Sequence, residues 1–113
     1  VLDVLTSFLK GLKVDTLVTV GNQVGWFEEM KLFLASDPRV PNPRQQRVPR
    51  LANVGRWLNV IDTSDYLAYA AAPIFECVRD VTFTTGRGPL AAHTEYFKDV
   101  SFFQRLGAWL RGG

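Results

Sequence analysis

Apolar residues fall along this chain in two rhythms, and the alternation of the two is its main structural message. Asp15-Thr16-Leu17-Val18-Thr19-Val20 is an apolar, β-branched run halted at Gly21, the pattern of a strand buried on both faces. Similar runs return at Arg56–Asp62 and at Val78–Thr85. Between and around them the spacing lengthens to three and four. Leu2, Leu5, Leu9 and Leu12 predict an opening helix over Val1–Leu12, ending near Gly11. Trp26, Met30, Phe33 and Leu34 predict an apolar helical face over Trp26–Ala35. The last helix, Ser101–Arg111, has the plainest start signal: Ser101 with Gln104 three residues on reads as a capping box. Phe102, Phe103, Leu106, Trp109 and Leu110 form its apolar side.

Strands alternating with helices place the chain in the α/β class, with about three parallel strands joined by right-handed crossovers. Residues Ser36–Asn53 interrupt the rhythm with Pro38, Pro41, Pro43 and Pro49 and with Arg39, Arg44, Arg47 and Arg50. Strand character resumes directly afterwards, so 36–53 is an excursion within one domain spanning 1–113 rather than a linker between two. Tyr66–Ala72, closed by Pro73, reads as a short helix or an ordered loop. Three buried-type strands alone leave two apolar edges and part of a face uncovered, so more sheet is expected beside them.

Composition narrows the class without naming it. A chain of 113 residues, 47% hydrophobic and 21% charged, suits a globular domain. Its net charge of +2 requires no polyanionic partner. Cys77 is the one cysteine and His93 the one histidine, too few for a disulfide framework or a zinc site built from those residue types. No apolar run reaches bilayer-spanning length and no basic-then-apolar signal opens the chain, which leaves the cytoplasm as the default compartment. The helical pattern begins at Val1 without a cap or an initiator methionine, so the chain is expected to continue a longer one.

The chemistry-bearing residues sit where strands end. Trp57-Leu58-Asn59-Val60-Ile61-Asp62 opens into Thr63-Ser64-Asp65, and the third strand leads through Gly86-Arg87-Gly88-Pro89 to His93-Thr94-Glu95-Tyr96-Phe97. In open parallel sheets the carboxyl ends of strands carry the site. A carboxylate beside an imidazole fixes its tautomer and stabilises its protonated form, the acid-base part of a serine hydrolase triad. No Gly-x-Ser-x-Gly elbow accompanies it in these residues. Gly86-Arg87-Gly88 lacks the lysine and the Ser/Thr of a phosphate-binding loop and reads as a turn; no cofactor is expected.

The order Leu17-Val18-Thr19-Val20-Gly21, then Trp57-Leu58-Asn59-Val60-Ile61-Asp62-Thr63-Ser64-Asp65, then Ala92-His93-Thr94-Glu95-Tyr96-Phe97 resembles the carboxyl-terminal half of an α/β-hydrolase of the lipase/esterase-like serine hydrolases. The resemblance covers nearly the whole chain. It implies a partial α/β-hydrolase fold, with Val1–Leu12 as the helix after the nucleophile elbow and the serine upstream. By the same resemblance His93 is the general base and Asp65 its orienting acid, and the order acid then histidine agrees. Asn22 stands where related sequences commonly have serine. The implied partners are the amino-terminal half of the domain, or a complementary chain, and a small acyl substrate.

Each residue also has a plainer role. His93 suits a surface or packing position, Asp65 an N-cap for Tyr66–Ala72, and Asp62 competes with Asp65 for the acid. Trp26 and Phe27 fit either packing or an acyl pocket. The four arginines of 36–53 fit a solvated loop, or a rim meeting an anionic substrate or a membrane surface. Two other functions stand beside the hydrolase: a non-catalytic hydrolase-like module for binding or scaffolding, and a nucleic-acid binder using those arginines. The last has no interleaved aromatics and no RNA motif.

Overall fold

The computed structural model describes residues 2–65, 67–84, 86, 88, 92 and 95–112. Its centre is a three-stranded sheet of β1 (Val14–Val20), β2 (Val54–Ile61) and β3 (Val78–Thr82), in that order and parallel throughout. The α/β class expected from the alternating rhythms is therefore present. The register sets Thr19 opposite Asn59 and Asn59 opposite Asp80, with Val20, Val60 and Val81 as the next row. Because side chains alternate across a strand, these rows face opposite ways.

Each face has its own core. On one, Trp57 meets Phe75 at a ring-centroid distance of 5.0 Å, and Leu2, Leu5 and Ala71 pack with them, joined by the half-buried Leu17, Phe33 and Val78. On the other, Leu58, Val60 and Val81 pack against Phe83, Tyr96 and Phe102. Among the described residues the α-helices are α1 (Val24–Glu29) and α2 (Val100–Leu110), with a short 3-10 turn over Tyr96–Lys98 ahead of the second. Helix α2 covers the second face with Phe102, Leu106, Trp109 and Leu110, at i, i+4, i+7 and i+8, while Phe103, also expected on the apolar side, is exposed. Phe102 has no exposed surface and meets the rings of Phe83, Phe97 and Phe103 edge-on at 5.5, 5.6 and 5.4 Å. Truncating such a side chain costs about 3–5 kcal/mol.

Several boundaries differ from the sequence reading, each for a local reason. The opening helix does not reach Leu12: after a π-helical turn over Val4–Phe8 the chain bends at Leu9 to enter β1, and only Leu2 and Leu5 of the leucine series are buried. Asn53 secures this turn by donating from Nδ2 to the Leu5 carbonyl at 2.9 Å. The predicted helix Trp26–Ala35 starts earlier and ends at Glu29, and its buried residues are Gly25 and Glu28 rather than Trp26 or Met30. A polar knot stops it. Glu28 accepts from the Lys31 ammonium at 2.8 Å and from the Ser36 hydroxyl at 2.7 Å, while Lys31 turns left-handed at φ 55°. Gly25 lets α1 press onto the loop after β2, since a Cβ there would lie 2.5 Å from the Ala70 carbonyl oxygen.

The α2 cap is Asp99, not Ser101. Its carboxylate accepts from the Ser101 amide at 2.9 Å and from the Ser101 hydroxyl at 2.6 Å, so Ser101 is the capped residue. Strand β3 ends at Thr82, and Thr85, the predicted end, lies outside the described residues. Leu67–Ala70 is a loop rather than a helix, with Tyr66 outside the described residues. Residues 36–53 are irregular, as expected. They are tied to the sheet region by a parallel bridge of Val48 to Phe75, whose flanking amides bond across at 2.8 Å, and by the Val14 amide, which donates to the Asn53 carbonyl at 2.8 Å. Among the described residues no helix is long and apolar enough to cross a membrane.

Candidate active site at the carboxyl ends of the strands

Strand β2 ends by delivering two buried carboxylates. Asp62, with no exposed surface, closes an Asx turn by accepting the Ser64 amide at 2.9 Å, and its carbonyl accepts the Asp65 amide at 2.9 Å. Asp65, 4% exposed, accepts the Leu67 amide on Oδ1 at 2.9 Å. This last bond closes an Asx turn and not the N-cap expected of an aspartate ahead of Tyr66–Ala72, since 67–70 form a loop. A second contact goes further. Tyr96, 1% exposed, donates its hydroxyl to Asp65 Oδ2 at 3.1 Å and accepts the Asp62 amide at 2.7 Å.

Tyr96 thus ties the turn after β2 to the segment that follows β3. Its ring is set by Phe102, 6.0 Å away edge-on, and by the β2 core. Burial, and then the negative charge of Asp65 and Asp62, push its ionisation well above the ordinary phenol range, so it remains a hydroxyl donor at every physiological pH. His93 lies outside the described residues, as does Arg87 of the glycine turn. In sequence His93 stands three residues before Tyr96 and directly after Ala92, which is fully buried.

A second polar cluster, which sequence reasoning missed, crosses the middle of the sheet. Asn59 has no exposed surface and is its hub. Its Oδ1 accepts from Thr19 Oγ1 at 2.9 Å and from Asn22 Nδ2; its Nδ2 donates to Asp80 Oδ1 at 2.8 Å and to the Tyr69 carbonyl at 3.0 Å. Trp57 Nε1 donates to Thr19 Oγ1 at 2.9 Å, and the Asp80 carboxylate accepts the Ala71 and Ala72 amides at 3.0 Å each. The row holds the loop after β2 against the strand ends. Its signal in the sequence is slight: Thr19, Asn59 and Asp80 stand at one register of three strands that also carry other polar residues.

Beside these clusters a groove of about 600 Å³ opens at the end of β1, with Leu17, Asn22, Phe27, Phe33, Trp57 and Leu67 in its walls. Phe27, one of the two aromatics weighed for an acyl pocket, lines it. Trp26 instead stacks on Tyr69 at 5.8 Å, and both rings are partly exposed. The arginines of 36–53 are divided in use. Arg39 pairs with Asp37 in solvent, Arg47 donates to the Ala72 carbonyl at 3.2 Å and Arg50 to the Gly55 carbonyl at 2.7 Å. With Arg44 and Glu76, Arg39 and Arg47 edge an open cleft of about 720 Å³. Among the described residues no group of three His, Cys, Asp or Glu converges as metal ligands. Comparison of the chain with protein-family models, with curated proteins and with solved structures gives no match.

Proposed function

We propose that this chain supplies the acid-base half of a serine hydrolase of the α/β-hydrolase kind, acting on an ester or related acyl bond. The nucleophilic serine comes from outside these residues. One observation carries the reading. The Tyr96 hydroxyl bonds to Asp65 Oδ2, which brings the turn after β2 to within three residues, in sequence, of the chain's one histidine. Both ends of that bond arise at the carboxyl side of the sheet, where parallel sheets carry chemistry.

In this reading His93 removes the serine proton as the hydroxyl attacks the acyl carbon and returns it to the leaving group. Asp65 accepts the other imidazole N–H and stabilises the imidazolium. Asp65 is preferred to Asp62 because Tyr96, three residues after His93 in sequence, donates its hydroxyl to the Asp65 carboxylate, whereas it meets Asp62 through the backbone amide. The groove walled by Phe27, Phe33 and Leu67 offers an apolar seat for the acyl portion.

The test is a fluorophosphonate probe together with ester turnover, on a polypeptide that joins this chain to its nucleophile-bearing half. The expected outcome is labelling of a serine outside these residues, with turnover reduced about 10³-fold or more by His93→Ala. Undiminished turnover in His93→Ala, or histidine-dependent labelling of Ser7, Ser36, Ser64 or Ser101, refutes the reading.

A further inference from the structure

Helix α2 leaves the amino ends of the strands uncovered, and the space there is shaped and charged for a ligand. Register pairs Thr16 with Arg56 and Leu58 with Arg79, so these four share the face that α2 covers farther along with Phe102 and Leu106. The helix ends at Leu110. Beside that end a pocket of about 210 Å³ opens, with Leu58, Trp109 and Leu110 in its walls and Arg56 and Arg79 next to them. Among the described residues that line it none is acidic.

Neutral oxygens hold Arg56 in place. Its Nε and Nη2 donate to Thr16 Oγ1 at 3.3 and 3.2 Å, and its Nη1 donates to the Leu110 carbonyl at 3.2 Å. The last bond caps the carboxyl end of α2, where a cation is favoured, and by itself explains an arginine here. It does not use the whole group. Each terminal nitrogen carries a second N–H, and no carboxylate meets Arg56 among the described residues. A planar fork already fixed on one side and lacking a counter-charge favours a planar anion.

The walls say what that anion is attached to. A cavity of about 150 Å³ takes one benzene ring, so this pocket accommodates a single ring with a short polar arm and little more. An indole and a guanidinium both favour the face of such a ring. The geometry points to a binding site for a small aromatic carboxylate, whose carboxylate meets Arg56 and whose ring lies among Leu58, Trp109 and Arg79. A phosphate monoester suits these walls less, since it carries roughly two negative charges at neutral pH and more oxygens to strip of water. The site lies at the opposite end of the sheet from Asp65 and does not rest on the hydrolase reading.

The test titrates the ¹⁵N-labelled 113-residue chain with sodium benzoate. The expected result is saturable shifts of the Trp109 indole N–H and the Arg56 Nε–H, half-complete at on the order of 1 mM, the range for a ligand of this size. Benzamide, the neutral counterpart, should bind about 10-fold more weakly or worse. Cys77, exposed and in the lining of the pocket, supplies a second readout: benzoate should slow its alkylation by iodoacetamide. Arg56→Gln should weaken benzoate binding about 10-fold or more. Should that variant fail to fold, the wild-type shifts and the Cys77 rate still decide. Equal binding of benzamide overturns the role of Arg56, and tighter binding of phenyl phosphate overturns the carboxylate. Shifts confined to Phe27 and Leu67, in the groove at the end of β1, overturn the site, as do the absence of saturable shifts and unslowed alkylation at saturating benzoate.

Discussion

Two polar clusters built from the same kinds of residue sit one strand turn apart, and they are organised for different ends. The Thr19–Asn59–Asp80 row lies across three neighbouring strands at one register level. Its hub bonds to two neighbouring strands, to Asn22 and to the loop after β2. It is a brace whose members are all held by the sheet itself. The Asp62–Asp65–Tyr96 cluster instead hangs from strand ends and joins two segments that the sheet does not pair. Buried hydrogen bonds stabilise both, but only the second lies beyond the end of β2, the side of a parallel sheet where chemistry is commonly carried. Burial and saturation mark a polar residue as structural; burial at a strand end, shared between loops, marks it as a candidate for chemistry.

The largest effect that separates the clusters is on turnover. In the joined polypeptide Asp65→Asn should lower kcat by about 10³-fold while stability changes by about 1 kcal/mol, because the amide still accepts one hydrogen bond but no longer balances an imidazolium. Asp62→Asn should cost far less activity. Steady-state kinetics with thermal melts checks both, and the reverse order moves the acid to Asp62.

Asn59→Ala should do the opposite. It takes one hydrogen-bond partner each from the Asp80 carboxylate, the Thr19 hydroxyl, the Asn22 amide and the Tyr69 carbonyl around a fully buried position, a loss of about 3 kcal/mol. Urea unfolding measures it, and a change below about 1 kcal/mol would show that the row is not a brace.

Tyr96→Phe sharpens the comparison at its boundary. Removing the hydroxyl leaves the Asp62 amide and Asp65 Oδ2 each short of a partner, for a loss of about 2 kcal/mol at neutral pH. The pH dependence has a definite sign. Because the folded state raises the Tyr96 pKa, its contribution is complete below the ordinary phenol value of about 10 and is lost as pH rises beyond it. The wild type should therefore lose stability above that pH more steeply than Tyr96→Phe, as denaturant melts across the alkaline range would record.

The smallest effect calibrates the others. Asp99→Ala removes the cap of α2 and its bonds to the Ser101 amide and hydroxyl, all in an exposed position. It should cost about 1 kcal/mol without touching turnover. A larger loss would mean that buried and exposed polar contacts here are closer in value than the comparison holds.

Much of this architecture is legible in the sequence, though unevenly. The strands were readable because Leu17-Val18, Leu58 with Val60, and Val78 with Val81 are apolar or β-branched, which suits a sheet covered on both sides. Helix α2 was readable because its apolar stripe repeats at helical spacing. Helix α1 was misread. The Trp26, Met30, Phe33, Leu34 stripe is real, yet the bonds among Glu28, Lys31 and Ser36 end the helix and leave Met30 and Leu34 exposed. At Ser101 the sequence marks the right turn but inverts the roles, since the carboxylate of Asp99, two residues earlier, accepts from the Ser101 amide and hydroxyl.

The sequence by itself determined the rhythm of elements, the parallel sheet that alternation demands, and the placement of Asp62 and Asp65 just beyond a strand, because these follow from periodicity and chain order. Tertiary structure alone decided which polar residues meet. Thr19, Asn59 and Asp80 lie 40 and 21 residues apart and become neighbours only through strand register. Tyr96 reaches Asp65 across 31 residues only because its ring docks against Phe102 and β2. Local propensity acts over a few residues, whereas a hydrogen bond between distant side chains exists only once packing has paid the entropy of bringing them together.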